Sequence, residues 1–413
     1  MFYQTFTYAL QGPINKAKLD YAWKALVARH DILRTGFLEV QSRILQVVFK
    51  DPPNEVIYKP QGTSAATRKY SGDLQLPPLN LVVENKDRSE VMIKLVLHHA
   101  LYDGVSLPII IDELQALYHG ATLEPPGLSL KTFVAQSISA ISSSITKEKW
   151  TSYLSSVPTP ASPTNALTST KRTEVYRPSI RIKSLRKLAQ ATGVSTDALF
   201  LAAISKLRAR TLQQQSENPE IPTPQVVFGI YLANRAPFGS DLSSLVAPTL
   251  NPLPLCVQQP LERSIKDIAK DVQSDISRIG SKEMVSASLE QIYAWTGVRV
   301  DCFVNILRPE SALMSNDENI EDRTVKAEAI LTSIYADTDS TFVIGEEPYG
   351  KIDFIQDEDS VVTIDIYLEN NTGRDTNYCG KKNIQTYLYN CVSGVVHMLQ
   401  NVFHNGRIEF SGI

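Results

Sequence analysis

The sequence is poor in the residues that announce metal or redox chemistry. Its 413 residues include four cysteines and six histidines. Cys256, Cys302, Cys379 and Cys391 lie far apart, so no Cys-x-x-Cys pair forms, and no histidine completes a zinc-like pattern with them. They read as reduced, mostly buried thiols of a cytosolic protein. Neither sign of charge dominates. The net charge is -3 and no basic run is interleaved with aromatics, which removes any general pull toward nucleic acid or an anionic membrane. No uninterrupted apolar stretch reaches the roughly 18 residues a membrane-spanning helix needs. The opening MFYQTFTYALQG lacks the basic-then-apolar order of a signal peptide and reads as a strand carrying Phe2, Phe6, Tyr8 and Leu10. Also missing are a Gly-x-Ser-x-Gly elbow, a cysteine with a local catalytic signature and a phosphate-cradling glycine loop. Covalent acyl-enzyme chemistry and nucleotide binding by this chain therefore find no support.

What is present suits a globular protein. Hydrophobic residues make up 43% and charged residues 21%, and the length corresponds to roughly two or three domains. Residues 15–29 carry apolar side chains at Leu19, Ala22, Trp23, Leu26 and Val27, a helical spacing, with Asn15 placed to cap it. Arg34 follows in the exit from that helix, and TGFLEV and RILQVVF read as a strand pair. Val91 to Leu97 is nearly all apolar, as in a strand buried on both faces, and ends in His98 and His99. Asp103 and Gly104 come next, then a helix through IIIDELQALY with Ser106 as N-cap and Pro108 in its first turn. Helices are expected within 130–154. The stretch 155–172 is rich in Ser, Thr and Pro and marks a linker between two mixed α/β halves, 1–160 and 173–413. In the second half, strands are expected at 173–180, 225–234, 300–307 and 360–370. Helices are expected at 184–193, 196–212, 264–279 and 383–403, with a polar loop at 318–330 and a proline-rich run at 247–258.

The histidine pair carries the chemistry. An imidazole titrates near neutrality, so at the end of a rigid strand His99 can accept and return a proton. His98, its neighbour on a strand, points to the opposite face and reads as structural. Asp103 is either a plain turn residue or one half of a buried ion pair, for which Arg34 is the best-placed partner. As metal ligands, His98, His99 and Asp103 find no further His or Cys to complete a site.

HHALYDG at 98–104 resembles the His-His-x-x-x-Asp-Gly signature of nonribosomal peptide synthetase condensation domains. Three further stretches agree in order and spacing, so the resemblance covers essentially the whole chain. WKALVARHDILRTGF at 23–37 is similar to that family's second core motif, APTLNPLPL at 247–255 to a motif of its second half, and ASLEQIYAWTG at 287–297 to the segment after it. The wording is closest to fungal members, including synthetases of hydroxamate siderophores. The resemblance implies an α/β fold of two chloramphenicol-acetyltransferase-like lobes, a V-shaped pseudo-dimer with a tunnel between them. It implies amide formation between an upstream carrier-bound aminoacyl or peptidyl thioester and the amine of a downstream carrier-bound aminoacyl thioester. It makes His99 the catalytic histidine, Asp103 and Arg34 a structural pair, and Gly104 a point of close backbone approach to substrate. Asn251 becomes a hydrogen-bonding residue near the tunnel, and His98 the other member of the motif. No metal or resident cofactor is implied; the substrates ride on 4′-phosphopantetheine. The implied partners are donor and acceptor peptidyl carrier domains and an adjacent adenylation domain, with a monomeric, cytoplasmic setting away from membrane and nucleic acid. Ester-forming or macrocyclising condensation, an acyl-CoA transferase and a non-catalytic carrier-docking module are the alternatives. The chain departs from the family in starting after the usual first segment, and in Pro252 and Cys256, where Thr and Arg are usual.

Overall fold

The computed structural model describes residues 3–10, 14–41, 43–59, 74–85, 91–158, 172–176, 179–181, 185–215, 225–235, 242, 244–300, 302–307, 331–337, 350–356 and 361–370. The expected linker core at 159–171, the loop at 318–330, the helix at 383–403 and Cys379 and Cys391 lie outside them. The chain forms two units, one of residues 1–136, 238–249 and 310–344, the other of 137–237, 250–309 and 345–413.

The first unit is built on a five-stranded sheet in the order Leu331–Asp337, Tyr3–Leu10, Val91–His98, Leu79–Asn85, Ile57–Lys59. The central strand is apolar because both its faces are covered near its end, where Leu95, Val96, Leu97 and His98 are all buried. Helix Lys16–Arg29 starts where the Asn15 side chain accepts the Lys18 N–H at 3.1 Å, and it buries Leu19, Ala22, Trp23, Leu26 and Val27, the five positions the spacing selects. That apolar face and Ile110, Ile111 and Leu114 of helix Ser106–Tyr118 join one core, which Leu242, Leu245, Val246 and Ala247 complete from far along the chain. A polar tie links the two helices. Glu113 accepts from Arg29 Nε at 3.0 Å and from His30 Nε2 at 2.6 Å, all three side chains being largely buried.

The second unit has a seven-stranded sheet whose main path runs Leu250–Gln258, Gln225–Ala233, Cys302–Leu307, Gly350–Gln356, Val361–Asn370, Arg172–Tyr176, with Ser179–Arg181 also paired to Val361–Asn370. Its core includes Trp150, Phe200, Phe228, Leu253, Leu255 and Ile268, and Trp150 Nε1–H donates to the Met284 carbonyl at 3.0 Å. Gly229 lies beside Phe303 on the neighbouring strand, where a Cβ would come within 2.2 Å of the ring, so a glycine is required.

The structure adds to the sequence reading at the unit boundary and at the proline-rich run. The division between units falls inside helix Leu130–Ile141, not at the Ser/Thr/Pro stretch. Composition reports exposed chain, whereas the unit a helix joins depends on its core, and Trp150 and Leu154 are buried in the second. The proline-rich run 247–258, to which the sequence reading assigned no element, contains a nine-residue strand, Leu250–Gln258, antiparallel to Gln225–Ala233. It lies at the sheet edge, where proline is tolerated. Residues 252, 254 and 256 point their backbone nitrogens the same way. Two of them are prolines with no N–H, and the third, Cys256, donates its N–H to Tyr153 Oη at 3.0 Å.

The Glu113 tie gives a pH signature. Burial pushes its carboxyl up, but the hydrogen bonds and charges of His30 and Arg29 outweigh burial and hold it below the usual range. A depressed carboxyl stabilises above its unfolded value of 4.5, and that stability is lost as pH falls through the lower folded value. We expect Glu113→Gln to cost about 1–3 kcal/mol at neutral pH by denaturant titration, with the gap to the natural protein closing below the unfolded value. A pH-independent gap would contradict the assignment.

Candidate active site

Strand Val91–His98 ends one residue earlier than the sequence suggested, and His99 opens a short 3₁₀ turn, His99–Leu101. His99 is therefore not the last residue of the strand, as expected. The turn forms because His98 Nδ1 accepts the Ala100 N–H at 3.1 Å, a side-chain cap that bends the chain out of the sheet. Leu101, Tyr102 and Asp103, the next three residues, are buried and anchor the far side of the turn. His99 is held between two buried anchors while its own ring stays half-buried.

The two histidines differ. His98 is buried, with Tyr3 edge-on at 4.9 Å. Burial first, and then the neighbouring His99, bring its pKa down to about 4, so it is neutral at physiological pH. His99 Nδ1 lies 3.1 Å from the Tyr102 carbonyl oxygen. A carbonyl only accepts, so Nδ1 carries the hydrogen, and in the neutral ring the lone pair sits on Nε2. Nε2 has no hydrogen-bond partner among the described residues. Such an imidazole is set up to take a proton from an approaching donor.

Asp103 is 1% exposed, and its expected partner is not there. Arg34 pairs with Asp31 on its own 3₁₀ turn and donates from Nη1 to the Phe49 carbonyl at 2.7 Å. The described partners of Asp103 and Arg34 do not include one another, which corrects the ion pair read from the sequence. Instead, Asp103 Oδ1 accepts from Val105 N at 3.1 Å, Ser106 N at 2.8 Å and Ser106 Oγ at 2.7 Å, and Oδ2 from Thr249 N at 2.8 Å and Thr249 Oγ1 at 2.7 Å. Ser106 Oγ also accepts the Ala247 N–H at 3.1 Å. The carboxylate thus caps helix Ser106–Tyr118 in place of Ser106, which is its first residue, and clasps residues 247–249 to the loop.

Gly104 is exposed, and a Cβ built on it meets no described atom within 4 Å. Asn251, in the second unit, spends both amide hydrogens on the carbonyls of Val285 at 2.6 Å and Ala287 at 2.7 Å, leaving only Oδ1 for another partner. Among the described residues no group of three or more His, Cys, Asp or Glu side chains could hold a metal, and no helix is long and apolar enough to cross a membrane.

Sequence reasoning missed Tyr102, Ser106 as a clasp residue and Thr249. Tyr102 sits inside the motif at a position the pattern leaves open. Thr249 could have been suspected only from APTLNPLPL, which the motif comparison had already singled out.

The chain matches the family model described as Condensation domain over residues 1–294. It is 33% identical over 323 residues to nonribosomal peptide synthetase sidC of Arthroderma benhamiae, covering 76% of this chain and 6% of that one. It is 34% identical over 319 residues to nonribosomal peptide synthetase 2 of Cochliobolus heterostrophus, covering 74% and 6%. It is also similar to the hydroxamate-type ferrichrome siderophore peptide synthetase of Schizosaccharomyces pombe, at 26% identity over 69% of this chain and 6% of the other. The chain thus spans about 6% of the length of the curated relatives it matches. Among solved structures, holo T3CT superposes with a TM-score of 0.71 at 17% identity, covering 97% of this chain and 87% of the other. The epimerization domain of the third module of tyrocidine synthetase B does so with 0.69 at 13%, covering 98% and 93%. These neighbours have the chloramphenicol-acetyltransferase-like α/β fold.

The clasp is testable by double-mutant cycles in denaturant unfolding. Asp103→Ala and Thr249→Val should be non-additive by about 0.5–3 kcal/mol, as residues in direct contact are, whereas Asp103→Ala and Arg34→Ala should add within about 0.5 kcal/mol. Strong coupling to Arg34 and none to Thr249 would restore the ion pair.

Proposed function

This chain belongs to the condensation-domain family, and we propose that it joins two carrier-bound acyl groups through an amide bond with His99 as the proton acceptor. Condensation domains of nonribosomal peptide synthetases catalyse amide formation between carrier-bound substrates. The observation that carries the assignment of His99 is its 3.1 Å hydrogen bond from Nδ1 to the Tyr102 carbonyl, which leaves the Nε2 lone pair for the incoming amine.

In the proposed step the amine nitrogen of the acceptor adds to the thioester carbonyl of the donor. His99 Nε2 takes the proton that the nitrogen sheds. The carbon–sulfur bond breaks, and the proton passes to the departing sulfur as the amide forms. No metal is needed for this chemistry. Holding both reactants on tethers supplies on the order of 7–11 kcal/mol through lost translational and rotational freedom already spent, and the histidine adds about 10²–10⁴-fold.

The donor and acceptor are peptidyl carrier domains bearing 4′-phosphopantetheine, with an adenylation domain as neighbour, in the cytoplasm, and the domain works as a monomeric unit. Asp103, His98 and Arg34 are assigned to holding the loop and its surroundings. Gly104 is assigned to the passage of the pantetheine arm, and Asn251 to the shape of the substrate passage. The likeness to a ferrichrome siderophore synthetase supports placing the substrates among those of hydroxamate siderophore assembly.

The test is reconstitution. Two carrier domains are loaded with aminoacyl groups, and the dipeptidyl thioester is followed by intact-protein mass spectrometry. His99→Ala should lower its rate by about 10²–10⁴-fold without lowering the melting temperature. A variant that keeps the natural rate would remove His99 from the mechanism.

A further inference from the structure

The stretch HHALYDG contains a residue that the motif leaves unspecified, Tyr102, and it contacts His99 twice. Its backbone carbonyl accepts the Nδ1–H, and its ring lies flat against the imidazole, with centroids 4.8 Å apart and planes 9° from parallel. The tyrosine ring is itself held from the first strand of the chain. Its hydroxyl donates to Gln4 Oε1, and Phe6 meets the ring edge-on at 5.6 Å, 85° from parallel. Tyr102 is 3% exposed, so it presents an immobile face to a half-buried imidazole.

The two contacts do different things. The carbonyl bond fixes which nitrogen bears the hydrogen but leaves the imidazole free to rock about that bond. The stacked ring removes that freedom and fixes the direction of the Nε2 lone pair. It does more once His99 has taken the proton: a cation over an aromatic face is attracted to it, and the attraction grows where water is excluded. The face that orients the neutral base therefore also favours the protonated form present after the amine has given up its proton.

We propose that Tyr102 is a positioning residue for His99, its ring setting the plane of the imidazole and stabilising the imidazolium formed during the reaction. The inference rests on the assignment of His99 above. Because the carbonyl is backbone, every substitution at 102 retains it, so side-chain variants isolate the ring.

Two readouts test the inference. In protein labelled with ¹⁵N at histidine, with His99 identified by its loss in His99→Gln, the natural protein should show a protonated Nδ1 and a bare Nε2. Tyr102→Leu retains the carbonyl and should retain that pattern, but should raise the mobility of the imidazole read by ¹³C relaxation at its ring carbons, and Tyr102→Phe should restore the natural rigidity. If Tyr102→Leu does not fold, Tyr102→Met takes its place. In the two-carrier assay Tyr102→Leu should lower kcat by about 3- to 30-fold with KM for the acceptor carrier unchanged, Tyr102→Phe should recover most of the rate, and Tyr102→Leu should add nothing to His99→Ala. The inference is overturned if the mobility of the His99 ring is unchanged in Tyr102→Leu, if the phenylalanine variant is as impaired as the leucine one, or if the leucine variant lowers the rate equally with and without His99. A turnover rate indifferent to His99→Ala, alongside the expected change in ring mobility, would overturn the proposed reaction and leave the ring's hold on the imidazole standing.

Discussion

A carboxylate buried to 1% exposure is tolerable only if its charge is met on every side, and the first unit is arranged to meet that of Asp103. Three of its hydrogen bonds come from the start of the following helix and two from Thr249. The helix contribution has two parts. Its first N–H groups have no partner within the helix, and its positive end faces the negative group. The Thr249 contribution is of another kind, because it obliges a segment distant in sequence to return to the loop. Leu242, Leu245, Val246 and Ala247 enter the core on the same return, so apolar burial and the polar clasp reinforce one another. Loss of the carboxylate would strand several buried donors together, which costs more than any one hydrogen bond contributes.

That anchoring explains how a histidine can be both fixed and accessible. Residues 101–103 are buried, His98 is buried, and the turn between them exposes part of one ring. His98 also matters through what it is not. With its pKa brought down to about 4, first by burial and then by His99 itself, it is uncharged at neutral pH, so a proton taken up by His99 in the proposed reaction meets no positive charge on the adjacent ring. A pair of histidines in sequence is thereby split into one buried acceptor and one half-buried ring, the proposed base, by a 3₁₀ turn and not by alternation along a strand.

Much of this was legible in the sequence, for identifiable reasons. Helix Lys16–Arg29 could be read because its signals are local: five apolar residues at helical spacing and an asparagine cap. The histidine loop could be read because its motif lies within seven residues. The partner of Asp103 could not. Charge alone nominated Arg34, but that side chain has Asp31 three residues away on its own turn and the Phe49 carbonyl beside it. The described partners of Asp103 are backbone N–H groups and hydroxyls, and no pattern of residue types distinguishes those from the hundreds of others in the chain. The strand at Leu250–Gln258 was obscured for a different reason. Its prolines argue against a strand in general, yet they are permitted where the chain runs along a sheet edge, and edge position is a property of the assembled sheet.

Gly104 shows how far such reasoning extends toward substrate. At Gly229 the fold itself demands a glycine, because Phe303 occupies the space a Cβ would need. At Gly104 no described atom lies within 4 Å of that space, and the residue is exposed. Neither packing nor a positive φ accounts for glycine at this position among the described residues. It follows Asp103 directly, whose clasp fixes where the backbone of the loop lies, and it is five residues from His99. In the reaction proposed here the open space belongs to the tethered arm that brings the acyl group to the imidazole. A residue that the fold leaves unconstrained, held in place by one that it constrains on every side, is what a passage for a moving substrate requires.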